Sequence, residues 1–404
     1  MVAIFNRKLS FEVFTFKEKR WLIDCVCETE AQAVGWARKL IAGGKVEAVR
    51  IVQQRTMPLT GFTTSKVIFE EKAPVVTEKP IIVREPSGDL VSVCATPDDI
   101  FGPSSRRMLA TILRDYFTKM QITPTELLHG WTHVKKLQDN GSILMTAVHR
   151  AGSAQARATG SDPKDRINRL NALVEEVARR ARDFAVERKK LPHYDGTELG
   201  PYLERLRTRL PEEQCDYAFR SMLTAWLHDQ RSLGGKLESV IALAGEGLEP
   251  AIVAELDGVL ADILCFGETI QDLFGAQASM GAFLIALADL LNGSPEVWEA
   301  SRNPAFKDIG RRLQAGHLPQ CHDVLAERLL REIASDKPLD RTDAQLDQKL
   351  TERLAERLKR ADGSFLGGEA TQKAIAARRL RQRQDMLRKM GLHAIAENMR
   401  PDQV

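Results

Sequence analysis

Aromatic residues are scarce in this chain of 404 residues and make up only 6% of the sequence. Because aromatic side chains usually fill the strands of all-β proteins, this scarcity argues against an all-β sandwich. Hydrophobic residues still contribute 43% and charged residues 28%, which is enough for a real core beneath a solvated surface. At roughly 100–200 residues per domain, the length predicts two or three structural units.

The sequence also lacks an apolar run that is long enough to cross a membrane. The longest run, residues 280–291, contains Asp289 and falls well short of the ~18–20 residues that a span needs. The first sixteen residues alternate polar and apolar side chains, without the continuous apolar stretch of a signal peptide. We therefore expect a soluble protein with no transmembrane segment.

Cysteine pairs with the CxxC spacing of zinc or redox motifs are absent as well. Most of the cysteines lie in apolar stretches, where a reduced thiol behaves as a small hydrophobe. Cys25 and Cys27 share one face of a predicted strand, so a disulfide between them would be strained. This pattern favours the reducing cytoplasm. The excess of arginine over lysine and the many alanines are typical of a GC-rich bacterial genome.

The first seventy residues carry the pattern of a small α/β module. Residues 11–16 and 21–27 alternate as half-buried strands around a charged turn. Thr29 is a candidate N-cap for a helix that reaches about Ala42, where Gly43 and Gly44 end it. Residues 46–52 and 64–69 supply two further strands. The predicted order is ββαββ.

After Pro103 almost no strand pattern remains, so the fold class is mostly α. We predict the ββαββ module at 1–71, a proline-rich extended connector at 72–103, a multi-helix body at 104–335, and C-terminal helices with a basic segment at 336–404. The clearest helix covers 163–190, where Ile167, Leu170, Val174, Val177, Ala181 and Phe184 recur at spacings of three and four. This seam favours packing on a neighbouring helix of the same chain and leaves a homo-oligomer open.

Glu126, His129 and His133 would lie on one helix face, and Glu-x-x-His supplies metal ligands in some helical bundles. No second Glu-x-x-His is present. Thr123 and Glu126 also form the pattern of a capping box, which explains the glutamate without a metal. His317, Cys321 and His322 are a weaker metal candidate, because Pro319 interrupts the helix that would align them. We therefore expect no metal and no cofactor.

Nucleotide and catalytic motifs are incomplete. Gly43-Gly44-Lys45 and Gly234-Gly235-Lys236 lack the full phosphate-binding loop, and we interpret both as glycine turns at helix ends. A weak helix-turn-helix pattern covers 104–141, with a helix that ends near Met120, a second that begins after Thr123 and a third from Trp131. This arrangement resembles the start of Cro-like repressor domains, which implies DNA binding.

The strongest functional indication is the basic segment 373–389. Seven basic residues against one acidic residue give it a net charge of +6, whereas the whole chain carries only +3. On a helical-wheel projection, one side of the helix is basic and contains Arg378, Arg381, Arg388 and Lys389. The other side is an apolar arc of Ile375, Leu380, Met386, Leu387 and Met390, which Arg379 and Arg383 interrupt. Such a helix could bind an acidic protein, nucleic acid or an anionic membrane surface, or could pack on the body.

We hypothesise a non-enzymatic regulatory or adaptor protein that binds a protein partner through its helical body and basic C-terminal helix. The six basic residues Arg378, Arg379, Arg381, Arg383, Arg388 and Lys389 are the candidate site. The alternative is a nucleic-acid-binding regulator that uses 104–141 and the basic tail. A third possibility, an enzyme with its pocket between helices, has no catalytic motif in its favour.

Overall fold

A computed structural model describes residues 8–17, 20–42, 46–56, 63–72, 80–86, 90–245, 247–360 and 362–399. The chain divides into two compact units, Met1–Pro80 and Ile81–Val404. The charged turn at Glu18 and Lys19 and the Gly43-Gly44-Lys45 motif lie outside the described residues.

The first unit is a four-stranded antiparallel sheet with one helix. Its elements are β1 Lys8–Lys17, β2 Arg20–Cys27, α1 Glu30–Ala42, β3 Ala48–Thr56 and β4 Thr63–Lys72, and the strand order is β2-β1-β3-β4. The predicted ββαββ module is therefore confirmed.

Helix α1 covers one face of this sheet. Phe11 and Val13 of β1 are buried with Ala33 and Ala37 of α1. A β-bulge after Val13 shifts the register between β1 and β2, which reorients the residues that follow. On β3, the guanidinium of Arg50 lies over the ring of Trp21 at 4.2 Å and stacks as a cation on an aromatic face.

The second unit is helical. Its helices are α2 Pro97–Phe101, α3 Pro103–Ile112, α4 Arg114–Met120, α5 Pro124–His129, α6 Trp131–Asp139, α7 Gly141–Thr159, α8 Pro163–Glu187, α9 Leu199–Arg207, α10 Glu212–Leu227, α11 Leu233–Leu243, α12 Pro250–Leu264, α13 Gly267–Phe274, α14 Met280–Leu291, α15 Glu296–Glu299, α16 Pro304–Gln314, α17 Pro319–Ala334, α18 Ala344–Arg357, α19 Gly368–Lys389 and α20 His393–Asn398. Among its described residues, the one extended pairing is the isolated bridge between Lys359 and Phe365. The prediction of a mostly α chain with an N-terminal α/β module is confirmed.

Helices α7 and α8 pack side by side, as the periodic seam predicts. Leu170, Val177, Ala181 and Phe184 of that seam are buried. Gly152 of α7 allows the close approach, because a Cβ there would lie 2.7 Å from the Ile167 side chain. The seam is therefore used within the chain.

The core of this unit is centred on helices that are apolar on most sides. In α12 every residue from Leu256 to Leu264 is buried. In α14 the core residues include Leu284, Leu287 and Ala288, each inaccessible to solvent. A helix that is apolar all round belongs inside a protein, which agrees with the interpretation of 280–291 as a core helix.

Residues 81–103, which the sequence analysis assigns to the connector, belong to the second compact unit. The backbone of 80–86 and 91–94 has no regular structure, and side chains of α7 and α8 satisfy some of its carbonyls. Arg150 donates to the carbonyl of Val83, and Arg166 donates to that of Cys94. Pro97 and Pro103 begin α2 and α3, the positions where a missing N–H is harmless.

Candidate functional site

All six candidate basic residues lie on α19, which follows a tight turn after α18. The turn is held by the hydrogen bond from the Leu366 N–H to the Leu358 carbonyl. Gly367 caps α19 with a φ of 77°, a left-handed conformation that glycine adopts without strain. The glycines therefore fold α19 back so that its first turns contact α17 and α18.

Arg378 is not on a solvent-exposed face, so the alternative that the helix packs on the body holds for this residue. Its side chain is buried, and its guanidinium donates to four carbonyl oxygens at 2.8–3.0 Å: those of Glu332, Ile333, Ser335 and Lys337. The last carbonyls of a helix lack partners within the helix, and a cation there is also favoured by the helix dipole. Burial lowers the pKa of Arg378, yet arginine stays protonated in proteins. Arg378 thus closes the end of α17.

Arg381 and Arg379 are also held by neighbouring elements. Arg381 pairs with Asp336 at 3.0 Å and donates to the Ser335 carbonyl at 3.1 Å. Arg379 donates from two nitrogens to the two oxygens of Glu352 on α18, which is the paired geometry that makes such contacts strong. The first half of α19 therefore directs its cations to groups within the chain.

The second half of α19 borders an open polar groove of about 860 Å³. One wall is formed by the 338–343 loop and the start of α18. The other wall belongs to α19 and contains Arg379, Gln382, Arg383, Asp385, Met386 and Lys389. The structure therefore brings Arg379, Arg383 and Lys389 together along one groove and places Arg378 elsewhere.

The acidic groups on the opposite wall are engaged by nearby donors. Asp343 caps α18 by accepting from the Gln345 and Leu346 N–H groups. Asp340 accepts from the hydroxyl and N–H of Thr342, which lowers the pKa of its carboxyl. Asp347 accepts from the Leu339 N–H and from the Gln382 amide. These carboxylates are held by the fold itself.

At the groove and beyond it, the end of α19 and the short α20 expose apolar side chains. We call residues 383–399 the C-terminal tip. Met386 is 48% exposed, Met390 66% and Ile395 55%. Met386 and Met390 are four residues apart and therefore share a helix face. Arg388 pairs with Asp385 at 3.0 Å on the same exposed helix end. The tip thus combines exposed methionines with cations.

The Glu126, His129 and His133 face is used for structure. The Thr123 hydroxyl accepts from the Glu126 N–H, and the Glu126 carboxylate accepts from the Thr123 N–H at 2.8 Å, so the predicted capping box is confirmed. Glu126 also forms a buried ion pair of 2.6 Å with Lys236. His129 Nδ1 lies 2.8 Å from the Thr125 carbonyl, and burial lowers the pKa of this histidine to about 3.

Within the part of the chain that the structure describes, no group of three or more His, Cys, Asp or Glu side chains is placed to hold a metal ion. Cys321 is buried and its thiol lies 3.6 Å from the Asp257 carbonyl, whereas His317 is exposed. The predicted helix-turn-helix segment corresponds to α4, α5 and α6. Residues 121–123 separate α4 from α5, which is the length of a helix-turn-helix turn, whereas only Gly130 separates α5 from α6. Every residue of α5 is buried.

The sequence patterns did not predict the two buried ion pairs of the helical unit, Lys236–Glu126 and Arg106–Asp262. Gly234, Gly235 and Lys236 belong to the first helical turn of α11, which Ser232 caps. Lys236 is only 1% exposed. Asp262 accepts from the N–H and hydroxyl of Thr125 at 2.9 and 2.6 Å, and Arg106 lies 3.6 Å away. A charged residue inside the apolar run 259–264 is a signal that could have identified Asp262.

In the described part of the chain, none of the helices combines the length and the hydropathy required to traverse a bilayer. Comparisons with protein-family models, curated proteins and solved structures found no match for this chain.

Proposed function

We propose that this chain is a non-enzymatic adaptor or regulatory protein whose C-terminal tip binds an acidic amphipathic segment of a protein partner. The observation that carries the proposal is the exposure of Met386 and Met390 beside the cations of the same helix end. The six cysteines are free, which supports the proposed location in the cytoplasm.

Exposed methionines are suited to partner binding. Methionine is unbranched and polarisable, so it adapts to different apolar surfaces, and exposed apolar patches rimmed by polar groups mark interaction sites. Met386 lies on the groove wall with Lys389 one helix turn away. An amphipathic helix could place its apolar side chains on the methionines and its carboxylates toward the cations, a common mode of helix recognition.

The structure favours a protein over a nucleic acid as the partner. Of the candidate cations, Arg378, Arg379 and Arg381 contact groups on other elements of the chain, and Arg388 pairs with Asp385. Nucleic-acid affinity rises with the number of phosphates that cations neutralise, so these internal contacts weaken that alternative. In segment 104–141 a single residue separates α5 from α6, and every residue of α5 is buried. Capture of a nucleic acid by the tip would therefore contradict the proposal.

The proposal can be tested by photo-crosslinking in the native host cells. A photoreactive amino acid is placed at position 390 in the full chain, and a matched variant carries it at position 145, where Met145 is 49% exposed on α7. We expect position 390 to capture one protein through an acidic segment, with little capture at 145. Adducts to nucleic acid or lipid at position 390, or equal capture at the two positions, would contradict the proposal.

A further inference from the structure

The helical unit contains an apolar cavity of about 120 Å³ among α3, α5, α6, α7 and α8. Met108 of α3, Leu127 of α5 and Leu137 of α6 form part of its wall. Val148 of α7 and Val177 of α8 contribute the opposite part. All of these side chains belong to one continuous hydrophobic core.

Small side chains leave this space open. Ala147 and Ala151 are one turn apart on α7, and both line the cavity, as does Ala178 of α8. Protein cores are normally close-packed, with few voids larger than a water molecule. A leucine at any of these positions would fill much of the cavity, so the alanines are what keeps it empty of protein atoms.

The buried polar groups of the wall, Ser105 and Cys94, already have partners. The Ser105 hydroxyl lies 2.9 Å from the Ser92 hydroxyl and 3.4 Å from the Cys94 thiol. The Gln155 amide also donates to Cys94. A water molecule in a cavity needs two to four polar partners, and an apolar cavity of similar size stays dry and binds benzene or xenon. The wall therefore suits an uncharged apolar ligand.

The α6–α7 corner offers a route to the cavity. Gln138, near the end of α6, lines the cavity and is exposed, whereas Val134, Leu144 and Val174 of the wall are half-buried. Asn140 alone separates α6 from α7. The cavity is therefore partly open to solvent on this side.

We propose that this cavity is a binding site for an uncharged apolar molecule of about six to eight non-hydrogen atoms, the size of a single aromatic ring. Apolar side chains on five helices provide its contacts. The site is separate from the C-terminal tip, so it stands or fails independently of the proposed partner binding.

Titration of the full chain with benzene and toluene, followed by methyl NMR, tests the proposal. We expect saturable shifts at Leu127, Leu137 and Val177, with no shifts at Leu284 and Val240, core residues of the same unit that do not line the cavity. Absence of saturable shifts, or equal shifts at the distant methyl groups, would overturn the proposal even without any variant.

A filling variant sharpens the test. Ala147→Leu should weaken toluene binding on the order of tenfold or more, because the added side chain occupies the ligand's volume. The matched change His149→Leu, at an exposed position of the same helix, should leave binding unchanged. Unaltered toluene affinity in a folded Ala147→Leu protein would contradict the assignment, and if that variant fails to fold, the wild-type titration decides.

Discussion

The two halves of α19 carry the same types of cation but use them differently. In residues 368–382, Thr371, Ile375 and Arg378 are buried, and Arg378 is enclosed by four carbonyls at the end of α17. In residues 383–389, most side chains are exposed, as are Met390 and Ile395 beyond them. What lies opposite a cation, and not its count in the sequence, decides whether it supports the fold or lies on an exposed surface.

The largest loss of stability is expected when the same comparison is made between two lysine–glutamate ion pairs of nearly equal length. The Lys236–Glu126 pair is buried at 2.6 Å, whereas the Lys373–Glu369 pair is exposed at 2.7 Å. Lys236→Met should lower the free energy of unfolding by about 3–5 kcal/mol, because it leaves the Glu126 carboxylate buried without its partner. Urea denaturation measures the change. Lys373→Met is the control, and a similar loss in both variants would contradict the account.

A smaller change in the free energy of unfolding is expected from replacing one of two arginines of α19. Arg378→Ala should lower the free energy of unfolding by about 2–3 kcal/mol, since buried carbonyls lose a charged donor. Arg388→Ala, which removes an exposed side chain paired with Asp385, should have no measurable effect. Chemical denaturation of the two variants checks the difference. Equal stability of both would mean that Arg378 does not support the fold.

The difference between these arginines also marks what sequence could predict. Period-two patterning identified the strands of the ββαββ module, and spacings of three and four identified the seam of α8, because both are local properties of the chain. The capping box at Thr123 was equally local. The wheel placed Arg378 and Arg381 on one side of α19 but could not show that this side contacts the end of α17, since those partners lie more than 40 residues away in sequence. Long-range polar contacts leave no periodic signal.

The same contrast between local patterns and long-range contacts applies to the candidate site. The concentration of basic residues in 373–389 brought Arg383 and Lys389 to attention, and both line the groove. The wheel could not show that the first half of α19 contacts α17 and α18. It also assigned Met386 and Met390 to an apolar arc without showing that this arc is exposed at the end of the helix.

Histidines provide the next comparison between buried and exposed groups. Burial lowers the pKa of His129 to about 3 and that of His133 to about 4. A histidine with a lowered pKa stabilises the fold above its unfolded pKa of about 6.5, and this contribution is lost as the pH falls toward the folded value. Each should therefore cost about 2 kcal/mol of stability between pH 7 and pH 5.

Replacing one of these histidines tests the sign and size of that effect. His129→Gln should make the stability change between pH 7 and pH 5 less unfavourable by about 2 kcal/mol, measured by urea denaturation at both values. His393→Gln changes an exposed histidine of α20 and serves as the control. A wild-type stability that rises as the pH falls from 7 to 5 would contradict the assignment.

The most direct test of the account measures stability and partner capture on one variant. The double variant Met386→Asp/Met390→Asp places charges on the C-terminal tip, and Met145→Asp makes the same change at an exposed methionine of α7. Both variants carry the photoreactive amino acid at position 395, where Ile395 is 55% exposed on the same tip, because position 390 is itself changed. We predict an unchanged Tm for both proteins, loss of capture from position 395 in the double variant, and intact capture in Met145→Asp. A lowered Tm of the double variant, or capture that survives its charges, would contradict the claim that the tip is a binding surface.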